Sequence, residues 1–174
     1  MTDQIDTQFI VYVSSTLDDN GKAAVLMQWG GIQAVLTPEV TLTTARDLMA
    51  GAAAAESGIA LIRTCREVLR LDGNTVGRLM QDVRARRPKP QGKTALRIEA
   101  VAGMKTGLPY VNIGRGSMKR QMDPETAREM ALHWAEAAVA SQIDVRLRYA
   151  LGEWDKLNVV EIEELFTMMR ETGR

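Results

Sequence analysis

The strongest constraint on this chain is that it reads as one supersecondary unit written twice. Leu36-Thr37-Pro38-Glu39 and Met122-Asp123-Pro124-Glu125 each close a strand-like run and open a long alanine-rich helix. The prolines stand 86 residues apart (124 − 38), close to half of the 174 residues. Thr44-Ala45-Arg46 and Thr126-Ala127-Arg128 recur inside the same helices at an offset of 82 (126 − 44). Proline suits the first helical turn, where its missing N–H is not needed. A hydroxyl or carboxylate before it caps the helix, and an acid after it meets the positive helix end. Such a pattern, repeated after comparable strand runs, predicts an internally duplicated βββαα fold of the α+β class. Antiparallel strands would pack on two long helices and two shorter ones. The first repeat is expected over 1–87, a basic linker over 88–94 and the second repeat over 95–174, all sharing one core.

The elements follow from local chemistry. Residues 8–14 are rich in β-branched and aromatic side chains and read as a strand. Asn20-Gly21 is a hairpin signal, because both residues tolerate positive φ. Residues 23–29 and 32–36 supply two more strands around Gly30-Gly31. The first long helix is expected to start at Thr37-Pro38 or near Thr43 and to run to about Leu71. Asp72-Gly73-Asn74 breaks it before a second helix over 75–87. In the second half the strands are expected at 95–101, 108–113 and 117–122, with Gly114-Arg115-Gly116 as the turn matching Gly30-Gly31. A helix then starts at Asp123-Pro124 and reaches about Gly152. The last helix starts at Asn158, with Glu161 at the capping-box position and Gly173 as its stop.

Composition narrows the function classes. Lys and Arg number 22 against 22 Asp and Glu, so no global charge draws the chain to nucleic acid or to an anionic membrane. No apolar run is long enough to span a bilayer, and the polar start of the chain does not resemble a signal peptide. One Cys65 forbids an internal disulfide and fits a reducing cytoplasm; with the single His133 it leaves no His/Cys zinc set. No metal, cofactor or catalytic constellation is expected. His133 reads as a surface or structural histidine and Cys65 as a small hydrophobe.

Two stretches stand out as candidate sites. Gly114, Arg115, Gly116, Lys119 and Arg120 combine exposed backbone N–H groups with three cations, which suits a phosphate or carboxylate: a nucleotide, or nucleic acid. The plainer account, favoured on these residues, is a hairpin turn leading into an edge strand protected by cations. The basic run over 84–93 reads as a solvated, non-helical linker. In the second long helix, Ala127, Met130, Ala131, Trp134, Ala138, Val145 and Tyr149 form one apolar face. Leu132, Val139, Ile143, Leu147 and Ala150 form another, nearly opposite. One face is expected on a sheet and the other on the first long helix, the alternative being that Leu132, Val139, Ile143 and Leu147 meet another molecule.

The runs Leu36-Thr37-Pro38 and Met122-Asp123-Pro124, each followed by Ala-Arg-x-(Leu/Met) in an alanine-rich helix, resemble short uncharacterised proteins. Those are encoded by phages and mobile elements of high-GC bacteria. The resemblance implies a small non-catalytic binding protein directed at a host protein or defence system, and carries no catalytic residue across. The leading expectation is therefore an interaction protein with a macromolecular protein partner, forming a homo-oligomer and using no membrane. Binding of an anionic ligand through the Gly114–Arg120 segment is the alternative.

Overall fold

In the computed structural model, residues 11–86, 94–152 and 157–172 are described. Both long helices start as their caps dictate. The Thr37 hydroxyl accepts from the Val40 N–H ahead of α1 (Pro38–Glu67), so the later start near Thr43 does not occur. Asp123 accepts from the Thr126 N–H at 2.9 Å ahead of α3 (Pro124–Gly152). Asp72 takes the N–H groups of Asn74 and Thr75 at the start of α2 (Gly73–Arg86). Asn158 and Glu161 form a reciprocal capping box ahead of α4 (Val159–Thr172).

The strands are β1 (Val11–Leu17), β2 (Ala23–Trp29) and β3 (Ile32–Leu36), then β4 (Arg97–Ala102), β5 (Pro109–Arg115) and β6 (Met118–Met122). They form two antiparallel meanders, β1-β2-β3 and β4-β5-β6. The fold is thus a duplicated βββαα unit. β2, β3, α1 and α2 begin at 23, 32, 38 and 73 and their counterparts at 109, 118, 124 and 159, a shift of 86 each time. The prolines therefore mark the true register. The Thr-Ala-Arg match at 82 is coincidental, since Thr44 corresponds to Met130 and Thr126 to Val40.

Several boundaries move. The first strand begins at Val11 among the described residues; the part expected over 8–10 lies outside them, as do 87–93, 153–156 and Gly173. Helix α1 ends at Glu67 rather than Leu71, and Val68, Leu69 and Leu71 donate back to the last helical carbonyls. The basic run is not wholly non-helical, because Arg84 and Arg86 belong to α2. Strand β5 continues through Arg115, so the turn is Gly116-Ser117, with Gly116 at φ 57° as Gly30 is at 54°.

Each long helix covers the sheet of the other repeat. Helix α1 lies against β4 and β5, and α3 lies against β1 and β2, while α1 and α3 pack along each other. Gly51 makes the α1 approach possible: a Cβ there would sit 3.0 Å from Ile98 Cγ2 and 3.6 Å from Val111 Cγ1. The main core gathers Met27, Trp29, Leu48, Ala52, Val111, Ile113, Ala131 and Trp134 from both repeats. Thr44, fully buried, donates to Val40 O and accepts from Ala95 N–H at 2.8 Å, tying α1 to the entry of β4. Cys65 packs with Ile59, Ile62 and Val76, as a small hydrophobe would.

Candidate functional site

The outer faces of the two sheets differ because one turn is a residue longer. In the first hairpin Asp18 N–H closes on Lys22 O, and in the second Gly103 N–H closes on Leu108 O. Trp29 corresponds to Arg115, yet Val11 pairs with Trp29 whereas Arg97 pairs with Gly114. The extra residue slides β4 by one position, and a one-residue slip exchanges which side chains face out. Outward in the first sheet stand Tyr12, Gln28 and Gln33, then Ser14, Leu26 and Val35, with no charge in any of the three strands. Outward in the second stand Arg97, Gly114 and Lys119, then Glu99, Asn112 and Gln121.

Gly114 has no side chain between Arg97 and Lys119, which leaves an open depression of about 350 Å³ over the second sheet. Ile113 and Arg120 complete its lining. Glu99, which also lines it, pairs with Arg84 of α2 at 3.6 Å. Its polar lining is Arg97, Lys119 and Arg120, the Asn112 and Gln121 amides and the Glu99 carboxylate around a bare strand backbone; the cations suit an anion, and Glu99 opposes one.

The five residues expected to bind a ligand do not act together. Gly114 and Lys119 share the outer row. Arg120 lies on the inner row with Ile98 and Ile113. Arg115 donates to Ala95 O at 2.7 Å and so braces the segment before β4. Gly116 sits at the exposed hairpin tip. Lys119, exposed on the edge strand β6, also fits the plainer expectation of a charged sheet edge. Sequence reasoning missed Arg97, Glu99, Asn112 and Gln121. Their alternation was legible, but their face depends on the strand register.

The second candidate surface is α3. Its alanine-lined side, with Ala127, Ala131, Trp134 and Ala138, is buried against both β1-β2 and α1, which share that one side. Tyr149 departs from this face and is exposed. The expectation that the opposite face meets α1 is therefore corrected. Leu132, Val139 and Ile143 are 52%, 50% and 55% exposed, and Leu147 is half-buried. Small side chains explain the result: Ala52 and Ala55 of α1 and Ala127 and Ala131 of α3 are buried in one core cluster, which lets the two helices pack closely. His133 is exposed beside the stripe.

At the ends of the surface, Arg128 bridges Glu56 of α1 at 2.5 Å and Glu125 at 3.3 Å, and the Glu56 hydrogen bond raises the Arg128 pKa. Arg148 pairs with Glu163 of α4 and stacks 4.1 Å over Phe166. Among the described residues no group of three or more His, Cys, Asp or Glu is placed to hold a metal ion, and no helix is long and apolar enough to cross a membrane. No family model, no curated protein and no solved structure matches the chain.

Proposed function

We propose that the chain is a non-catalytic interaction protein whose contact surface is the outward face of α3. The observation that carries this reading is the line of Leu132, Val139 and Ile143, each about half exposed on a helix whose other side is fully buried. Large aliphatic side chains aligned on a rigid helix favour a protein partner, because their contact with water is relieved only by another apolar surface. The resemblance at Leu36-Thr37-Pro38 and Met122-Asp123-Pro124 supports a phage or mobile-element origin and a host-directed role. A cytoplasmic setting fits the lone buried thiol of Cys65.

A second reading is favoured by one specific observation, the pairing of Arg97 and Lys119 across Gly114 in a charged row that the first sheet lacks. It assigns the second sheet an anionic ligand such as a nucleotide. Cross-linking of the protein in the cells that express it, followed by mass spectrometry, separates the two. Val139→Asp with Ile143→Asp should abolish recovered protein partners, and Arg97→Ala with Lys119→Ala should leave them unchanged. The reverse pattern, with salt-sensitive nucleotide binding lost in the Arg97/Lys119 variant, would transfer the function to the sheet.

A further inference from the structure

The outward side of α3 carries a second, more regular pattern. Leu132, Glu136, Val139, Ile143, Arg146 and Ala150 are all exposed, and they follow one another at steps of four, three, four, three and four residues. Alternating steps of four and three residues are the heptad seam of a coiled coil. In heptad terms Glu136, Ile143 and Ala150 occupy a positions, and Leu132, Val139 and Arg146 occupy d positions. At ~1.5 Å per residue the seam is about 27 Å long.

The two charges decide what fits this seam. An apolar groove would strand both of them, since a buried ion without a counter-ion is strongly disfavoured. They lie five residues to either side of Ser141, at 136 and 146. In an antiparallel helix pair each a position faces a d position of the other strand. A second copy of α3 with its two-fold axis level with residue 141, on the outward side between Val139 and Ile143, therefore satisfies every layer. Val139 meets Ile143 twice at the centre, Glu136 meets Arg146 twice outside them, and Leu132 meets Ala150 twice at the ends. Parallel pairing would set Glu136 against Glu136 and Arg146 against Arg146. The first repeat cannot make the same contact, because its corresponding positions are Arg46, Ala50, Ala53, Ser57, Ala60 and Thr64. The seam occurs once per chain, as an isologous dimer requires.

We propose that two copies of this chain pair through antiparallel α3 helices, with Glu136–Arg146 ion pairs flanking a Val139–Ile143 centre. The proposal rests on the reading of α3 as the contact surface and names its occupant. Sedimentation equilibrium across micromolar to millimolar concentrations tests it, with circular dichroism confirming that each variant is folded. The wild type should be a dimer. Glu136→Arg alone and Arg146→Glu alone should each be monomeric where the wild type is dimeric, since each sets like charges in two layers. Mixing those two variants should restore a dimer, now a heterodimer, and combining both changes in one chain should restore a homodimer. A wild type that stays monomeric, a dimer indifferent to the single variants, or variants that fail to pair on mixing would each overturn the proposal. A monomeric wild type that still loses cross-linked partners with Val139→Asp and Ile143→Asp would overturn the dimer and keep the α3 surface. A dimer with the predicted charge response whose partners ignore the stripe would do the opposite.

Discussion

Gly51 sets the distance between α1 and the second sheet, so the cost of filling it measures how closely that helix is seated. A methyl group there meets Ile98 Cγ2 at 3.0 Å, inside the range that forces a neighbour to yield. Gly51→Ala gains about 1 kcal/mol of helix propensity and spends a similar amount on that contact, so it should be close to neutral. Gly51→Val adds branching that the interface cannot absorb and should destabilise by about 1–3 kcal/mol. Gly73→Ala is the control, because nothing lies within 4 Å of its added Cβ, and it should be neutral or slightly stabilising. Urea midpoints of the three variants check the ordering. A Gly51→Val midpoint no lower than that of Gly51→Ala would mean that α1 does not approach Ile98 this closely. The sequence showed that residues 50–55 are small but could not show which are needed: Gly51, Ala52 and Ala55 are buried, whereas Ala50 and Ala53 face water.

At the scale of elements, the caps were the most legible features, because Thr37-Pro38, Asp123-Pro124 and Asn158-x-x-Glu161 carry their mechanism in three or four consecutive residues. Strand faces were the least legible. Whether Arg97 and Glu99 point outward depends on the single extra residue between β4 and β5, and the pattern of either strand alone says nothing about that. The outward face of α3 was misassigned for a related reason: the two apolar faces were visible, but not that one seam of small residues serves both the sheet and α1. The caps also predict an acid response. The Thr75 hydroxyl holds Asp72 below the usual value of 3.8, the Thr126 N–H does so for Asp123, and the Lys22 N–H for Asp18. A carboxylate whose folded-state pKa is lowered contributes stability that is fully present above its unfolded value and is lost as pH falls through the folded value. Stability should therefore decline from about pH 4 downward. Asp72→Asn with Asp123→Asn should flatten that decline while remaining folded at neutral pH, since asparagine also caps. Chemical denaturation at stepped pH reads the slope, and a slope unchanged in the double variant would remove these caps from the acid response.

At the scale of the whole molecule, the exchange of helices between repeats makes each half depend on the other, and the contacts are matched in size. Helix α1 presents Gly51 to Ile98 and Val111 of the second sheet. The residue corresponding to Gly51 in α3 is Ala137, which with its neighbour Ala138 packs in a cluster with Val25 and Val13 of the first sheet. Glycine thus sits under isoleucine, and alanine under valine. If two first repeats paired with each other, Gly51 would lie over Val13 and leave about one methyl group of space, a loss of ~1 kcal/mol per site. If two second repeats paired, Ala137 would be driven against Ile98 at the spacing that Gly51 exists to relieve. Both self-pairings also lose the Glu56–Arg128 ion pair, since Leu42 and Gln142 stand at the corresponding positions. A pair of second repeats also loses the Thr44–Ala95 hydrogen bond, since Met130 stands in place of Thr44. Residues 1–86 and 94–174, expressed as separate chains and mixed, should therefore assemble with each other in preference to themselves. The mixed species should keep the far-ultraviolet dichroism of the intact chain, since severing the chain costs only the effective concentration that the linker supplies. Residues 1–86 alone should form a weaker swapped homodimer, and residues 94–174 alone should not form a stable folded pair. Native mass spectrometry of each half and of the mixture distinguishes these outcomes. Folded monomers from either half would show that a repeat can cover its own sheet, and the helix exchange would then not be what holds the molecule together.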